Sequence, residues 1–439
     1  MKKCISFGKF KNKYKYILYS AIALIIYDIS FGLNYKGAFK EVSLINLFEV
    51  DENSKEHSYI HEIFCYFGTF FVSLILYILE KKGILYESIE LRNSSKQDNS
   101  SSQTFLICLI SLWVIEEKLA ETVKNILIHL DFWVLEFIFL SYFCKKILKI
   151  DIYKHQKVAM LLTIIPCIIK IATIVLSFYD ENRIEENFNN FRRKDGLLEI
   201  LYVPYPWLIP IGLSIYIIML IMEAYIMTKI KWYMDLEYFS FYKILMLYGF
   251  FGTIIYTTFC IITTFIECPK GYKDLYDYFC KTKDDNNQKY FANFILYYTN
   301  ILSQIPLEEI IIVLFGISGF FSYKFFSFMI IKDLSPIHLV FSLPLFYIIR
   351  KIILIINILI HNDFIVSKFY EIKFKLDISA DSICLFGYFI YLEIIKLNFL
   401  GLNYNITENI MSRSQTDLTL GKNINDDCII KENDMEDSN

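Results

Sequence analysis

Residues 205–230 read YPWLIPIGLSIYIIMLIMEAYIMTKI. The only ionisable side chains in this stretch, apart from tyrosines, are Glu223 and Lys229. A helix at a water-facing surface shows apolar residues on one stripe and polar residues opposite. This stretch is apolar all round, so it has no wet face, and its surroundings are lipid or protein. At 1.5 Å per residue it is long enough to cross a hydrocarbon core about 30 Å thick. Pro206 and Pro210 fall where a helix starts, at positions whose backbone N–H groups lack intrahelical partners.

The same pattern recurs along the chain. Apolar runs occupy roughly 16–33, 60–79, 104–119, 129–148, 157–178, 205–230, 241–266, 307–331, 336–360 and 380–397, with charged stretches between them. The chain has 439 residues, of which 55% are hydrophobic and 21% charged. The fold class expected is therefore an all-α integral membrane protein with about ten transmembrane helices. Residues 1–15 form a basic cytoplasmic N-terminus, 16–397 the polytopic transmembrane domain, and 398–439 a polar cytoplasmic tail expected to be unstructured. Six lysines precede the first run, as in a signal peptide, but no small-residue cleavage site follows it, so the run is read as a retained span.

Formal net charge is −3, and no basic domain lies outside the apolar runs, which argues against a nucleic-acid partner. Orientation follows from the basic loop residues. With the N-terminus in the cytoplasm, Lys81, Lys82, Lys145, Lys146, Lys149, Lys154, Lys229, Lys231, Lys324 and Lys332 all fall in inner segments, and both termini are then cytoplasmic. Endomembrane and plasma membrane both fit. Most cysteines lie inside apolar runs, where a thiol is a small apolar filler. Cys268 and Cys280 share one polar outer loop and are a candidate disulfide.

Charges inside apolar runs are the informative positions, because each costs roughly 2.5–3.5 kcal/mol at the bilayer centre on insertion scales. Arg350 and Lys351 are adjacent near the middle of the ninth run. Adjacent helical residues point about 100° apart and can frame one anion between them. The pair either binds an anionic solute or is neutralised by Glu136, Glu223 or Glu393. Lys170 lies one turn after Pro166, and either the carbonyl freed by that proline or Glu136 is a partner for it. Glu136 and Glu223 serve as charge-balancing groups. Glu116 and Glu117 mark the outer end of a short third span. Gly249 with Gly252, and Gly316 with Gly319, lie three apart and allow close helix packing. His338, just after Ser335-Pro336, is expected to be hydrogen-bonded in a structural role. No HExxH, Walker loop, GxSxG or zinc-spaced Cys/His cluster is present, so no enzyme activity, metal site or cofactor is expected.

Ten spans with both ends inside resemble the drug/metabolite transporter superfamily, which includes nucleotide-sugar and triose-phosphate translocators. Locally, Ser335-Pro336-Ile337-His338 followed by Arg350-Lys351 resembles the phosphate-translocator segment in which a basic pair contacts substrate phosphate. Here the pair comes about one helical turn later, in the order Arg-Lys, and the family's intervening Gly-Asn is absent. The chain also resembles multi-pass membrane proteins of protists, a likeness that implies no function. The superfamily resemblance implies two inverted five-helix halves around a central cavity. It also implies a secondary transporter of a small organic anion, with Arg350 and Lys351 holding the solute; Lys170, read from its place inside the fifth run, would assist them. The partners are then the lipid bilayer and that solute, with a homodimer as a further option. The alternatives are a non-transporting scaffold, assembly or lipid-binding protein and, more weakly, a membrane-embedded lipid-modifying enzyme.

Overall fold

The computed structural model describes residues 5–7, 15–34, 58–84, 100–126, 133–150, 152–170, 172, 208–237, 239–265, 282–283, 289–290, 307–349, 352, 368–397 and 402. In chain order the elements are β1 (Ile5–Phe7), α1 (Lys15–Asn34), α2 (Ser58–Lys81), α3 (Ser100–Ile126) and α4 (Trp133–Ile147). Helix α5 covers 154–170. Then come α6 (Leu208–Leu236), α7 (Phe241–Thr264), β2 (Thr282–Lys283), β3 (Lys289–Tyr290) and α8 (Leu307–Asp333). The last elements are α9 (Pro336–Leu339), α10 over 342–349, α11 (Lys368–Tyr391) and β4 (Ile395–Leu397). Each of the ten apolar stretches contains described helix.

Four of these helices have segments long and apolar enough to cross a bilayer: Glu62–Lys81, Ile211–Asp235, Phe241–Ile262 and Val313–Asp333. Shorter apolar helices cover Lys15–Tyr27, Pro336–Ile349 and Ile378–Tyr391. The surface has the polarity that lipid requires. On α2, Phe64, Phe67, Phe71, Ile75 and Ile78 recur at helical period and are exposed, while Glu62, Cys65, Tyr66, Thr69 and Ser73 face inward and are buried. Of the small polar groups turned inward, Thr69 closes on the helix's own backbone, its Oγ1 donating to Cys65 O at 2.8 Å. The chain is thus an all-α bundle with an apolar exterior suited to membrane insertion.

Packing pairs α1 with α8, α2 with α7 and α8, α3 with α6 and α7, and α4 with α6. Glycine sets the closest of these approaches. A Cβ at Gly249 on α7 would come within 2.8 Å of Phe70 Cα on α2. One at Gly319 on α8 would stand 2.8 Å from the Tyr27 backbone nitrogen on α1. The expected packing role of these two glycines is what the structure has.

At one end of the bundle β1 pairs antiparallel with β4, Ile5 opposite Leu397, so segments flanking the first and last helices meet. Other contacts cluster at that end. Ser240 Oγ donates to Glu80 Oε2 at 2.5 Å, and Lys231 Nζ donates to Lys332 O at 2.5 Å. His155 Nε2 stands 3.5 Å from Glu393 Oε1.

Three helices differ from the sequence expectation in their limits. Helix α3 is longer than 104–119, so Glu116 and Glu117 sit inside it and not at its outer end. The tenth helix begins at Lys368, well before residue 380. It stops at Tyr391, where Glu393 takes a left-handed conformation (φ 59°), and the apolar run continues as β4. In the ninth stretch the helix breaks at Val340–Phe341. Pro344 explains the break: it has no N–H for the Val340 carbonyl, and its ring clashes with that carbonyl in a continuous helix. Val340 O accepts instead from Leu343 N at 3.3 Å.

Candidate functional site: charged pairs inside the bundle

Three lysines of the described helices are held deep in the bundle by carboxylates. Lys170 Nζ on α5 lies 3.2 Å from Asp381 Oδ1 on α11, with the aspartate side chain 1% exposed. Lys118 Nζ on α3 donates to Glu62 Oε2 on α2 at 3.1 Å. Lys324 on α8 pairs with Glu117 on α3. Each pair joins two helices, and each follows from the cost of an unpaired charge in a low-dielectric interior.

The Glu117–Lys324 pair has the richest surroundings. Lys324 lies near the middle of the apolar segment Val313–Asp333. Three donors converge on the Glu117 carboxylate. Lys324 Nζ reaches Oε1, while Tyr66 OH donates to Oε2 at 3.2 Å and Tyr248 OH donates to the same oxygen. The two phenolic oxygens are 3.3 Å apart. They come from α2 and α7, so four helices meet at one carboxylate. Aromatic faces surround the ammonium: Tyr248 at 4.8 Å, Tyr323 at 5.3 Å, Phe320 at 5.6 Å and Trp113 at 5.7 Å to the ring centroids. Such faces favour a cation through their quadrupoles. The close approach of α2 and α7 at Gly249 and Gly252 brings Tyr66 and Tyr248 within reach of each other.

Accessibility separates the pairs. The Glu117 side chain is 21% exposed, against 6% for Glu62 and 1% for Asp381. Charge-assisted hydrogen bonds are about twice as strong as neutral ones, so three donors on one carboxylate make a specific anion-recognition set.

Of the residues singled out from sequence, Lys170 is half-buried and pairs with Asp381. Glu136 is buried on α4 and acts electrostatically on Tyr388, which lies beside Cys384 near the Lys170–Asp381 pair. Glu223 is half-buried on α6. Lys324, counted from sequence as a loop-flanking basic residue, is a buried interior group. Arg350, Lys351, Cys268 and Cys280 lie outside the described residues. His338 is structural, its Nδ1 2.7 Å from Ser335 Oγ. Asp381, Lys324 and Glu117 were not picked out from sequence as interior charges, although an ionisable residue within an apolar helix was the signal for each. The limits expected for the third and tenth spans placed Glu117 and Asp381 at helix ends.

No protein-family model matches the chain, and no curated protein sequence matches it.

Proposed function

We propose that this chain is a secondary transporter of a small organic anion, with the donors around Glu117 as its solute site. The observation that supports this is the convergence of Lys324, Tyr66 and Tyr248 on one partly accessible carboxylate in mid-bundle. Intramembrane ionisable groups typically mark solute or ion pathways. In this reading Glu117 occupies the site when no solute is bound. A solute carboxylate or phosphate takes its place, and protonation of Glu117 frees Lys324 for the exchange. The reading includes ten spans, one for each apolar stretch, and alternating access between two five-helix halves. The break at Val340–Phe341 suits it, since discontinuous helices are common around transporter sites. Arg350 and Lys351 remain candidates for a second anion contact.

The test is counterflow in proteoliposomes loaded with a dicarboxylate, a monocarboxylate, inorganic phosphate or glucose. The expected result is exchange of a labelled anion, absence of glucose exchange, and loss of exchange in Lys324→Gln. Equal exchange by wild type and Lys324→Gln removes the site from the reading, and no exchange of any anion removes transport.

A second reading is a non-transporting membrane scaffold. The closed pairs Lys170–Asp381 and Lys118–Glu62 favour it, since each cation is sealed against a carboxylate. Its signature is absence of flux together with variants that are only less stable.

A further inference from the structure

Residues 145–157 read KKILKIDIYKHQK and join α4 to α5. Lys145, Lys146, Lys149, Lys154 and Lys157 are all exposed. Among the described residues, none of the five is held by a carboxylate. Asp151 is the single acidic residue in the stretch. Five cations kept close together without partners are unfavourable unless an anion is near.

Two observations say which anion. The first is depth. Phe143, just before the lysines, packs edge-on against Tyr225 at 5.6 Å, and Cys144 Sγ lies 4.0 Å from Thr228 Oγ1. Tyr225 and Thr228 are in the last part of the apolar segment Ile211–Asp235. The lysines therefore emerge where the apolar part of the bundle ends, at the level of lipid headgroups.

The second is the face below them. Lys154, Lys157, Leu161, Ile164 and Ile168 follow at helical spacing along α5 and are all exposed. Leu161 is 64% exposed and Ile168 61%. One helix face thus carries lysines at the top and about two turns of bare aliphatic side chains beneath. A nucleic acid or an acidic protein would use only the lysines. A phospholipid uses both parts, with its headgroup on the cations and its acyl chain on the aliphatic stripe.

We propose that the α4–α5 hairpin binds an anionic phospholipid, the headgroup phosphates among these lysines and an acyl chain along Leu161–Ile168. The site is independent of the solute site around Glu117. Basic clusters of this size beside a membrane helix recruit multivalent anionic lipids, each lysine adding roughly fivefold to the affinity.

The test uses the full chain in nanodiscs, read by thermal midpoint and by lipid retained in native mass spectrometry. The arms are phosphatidylcholine alone, phosphatidylcholine with 5% phosphatidylinositol bisphosphate (roughly the surface charge that basic clusters answer to), and phosphatidylcholine with the soluble inositol phosphate headgroup at the same concentration. The variants are K145Q/K146Q/K149Q/K154Q/K157Q and, as a control with exposed lysines elsewhere, K81Q/K82Q. We expect the lipid to raise the midpoint and be retained in wild type and the control, and both effects to be lost in the hairpin variant. The hairpin variant in phosphatidylcholine alone should unfold with wild type, since all five side chains are at the surface. An undiminished lipid effect in the hairpin variant, or equal losses in both variants, would overturn the site. An equal shift from the soluble headgroup would assign the lysines to a soluble anion, and binding of an oligonucleotide without lipid binding would assign them to nucleic acid.

Discussion

Lys170 Nζ and Asp381 Oδ1 are 3.2 Å apart and tie α5 to α11 through a side chain only 1% exposed. The lysine also stands 5.7 Å from the Tyr347 ring centroid, so α10 closes a third side. With the carboxylate removed, the ammonium is left in a low-dielectric interior without its counter-ion.

Asp381→Asn is therefore expected to destabilise the protein by about 3–5 kcal/mol, the usual cost of breaking a buried pair from one side. Lys170→Met/Asp381→Leu should be much closer to wild type, because it removes both charges and keeps apolar volume. Thermal unfolding of detergent-solubilised protein measures both. Additive losses in the double variant would mean that the pair is not the interaction that matters.

At the Glu117 cluster the expected ranking is different. Glu117→Gln leaves Lys324 buried beside neutral donors and should cost several kcal/mol in the absence of solute. A carboxylate that binds in place of Glu117 should recover part of that loss, by about 2.7 kcal/mol at one hundred times its dissociation constant. Wild type should gain less from the same ligand, because Glu117 competes with it. A larger gain in wild type than in Glu117→Gln would contradict competition.

Gly249→Leu and Gly252→Leu push side chains into the Phe70 backbone and the Tyr66 ring. Overpacking of this kind costs about 1–3 kcal/mol, and more where backbone must move. Gly387→Ala should be milder, because its new methyl would meet Ala159 O at 3.3 Å and Thr163 Cγ2 at 3.4 Å. Comparing melting midpoints of the three tests whether α2 and α7 touch where the structure has them.

His155 is 2% exposed at the start of α5, and burial lowers its pKa below 6.5, with Glu393 opposing the shift. The unfolded chain then takes up a proton at a pH where the folded chain does not. Stability from the neutral ring is present above the unfolded pKa of about 6.5 and is lost as pH falls from there to the lowered folded value. His155→Gln should flatten the stability curve between pH 7 and pH 5. An unchanged slope would assign the pH dependence to other groups.

Pro344→Ala restores an N–H that can reach Val340 O and joins α9 to α10. Because an interior proline costs a helix about 3 kcal/mol, the variant should be at least as stable as wild type. If the break serves transport, exchange should fall while the melting midpoint rises. A lower midpoint would mean that packing, and not the proline, sets the break.

Much of the architecture was legible in the sequence. Runs such as 205–230 leave the backbone only one way to satisfy its hydrogen bonds in lipid, so helix and membrane follow from composition and length. The glycines at 249 and 319 and the hydrogen-bonded His338 could also be read, because local spacing decides what they do. The partners of the interior charges could not. Lys324 and Lys332 look alike as lysines in one apolar helix, yet one is buried against Glu117, 207 residues away, and the other lies at the polar end of the bundle. Helical period fixes the direction in which a side chain leaves its own helix. Which helix stands opposite, and so whether that lysine meets a carboxylate, a carbonyl or a lipid headgroup, is settled only when distant segments pack.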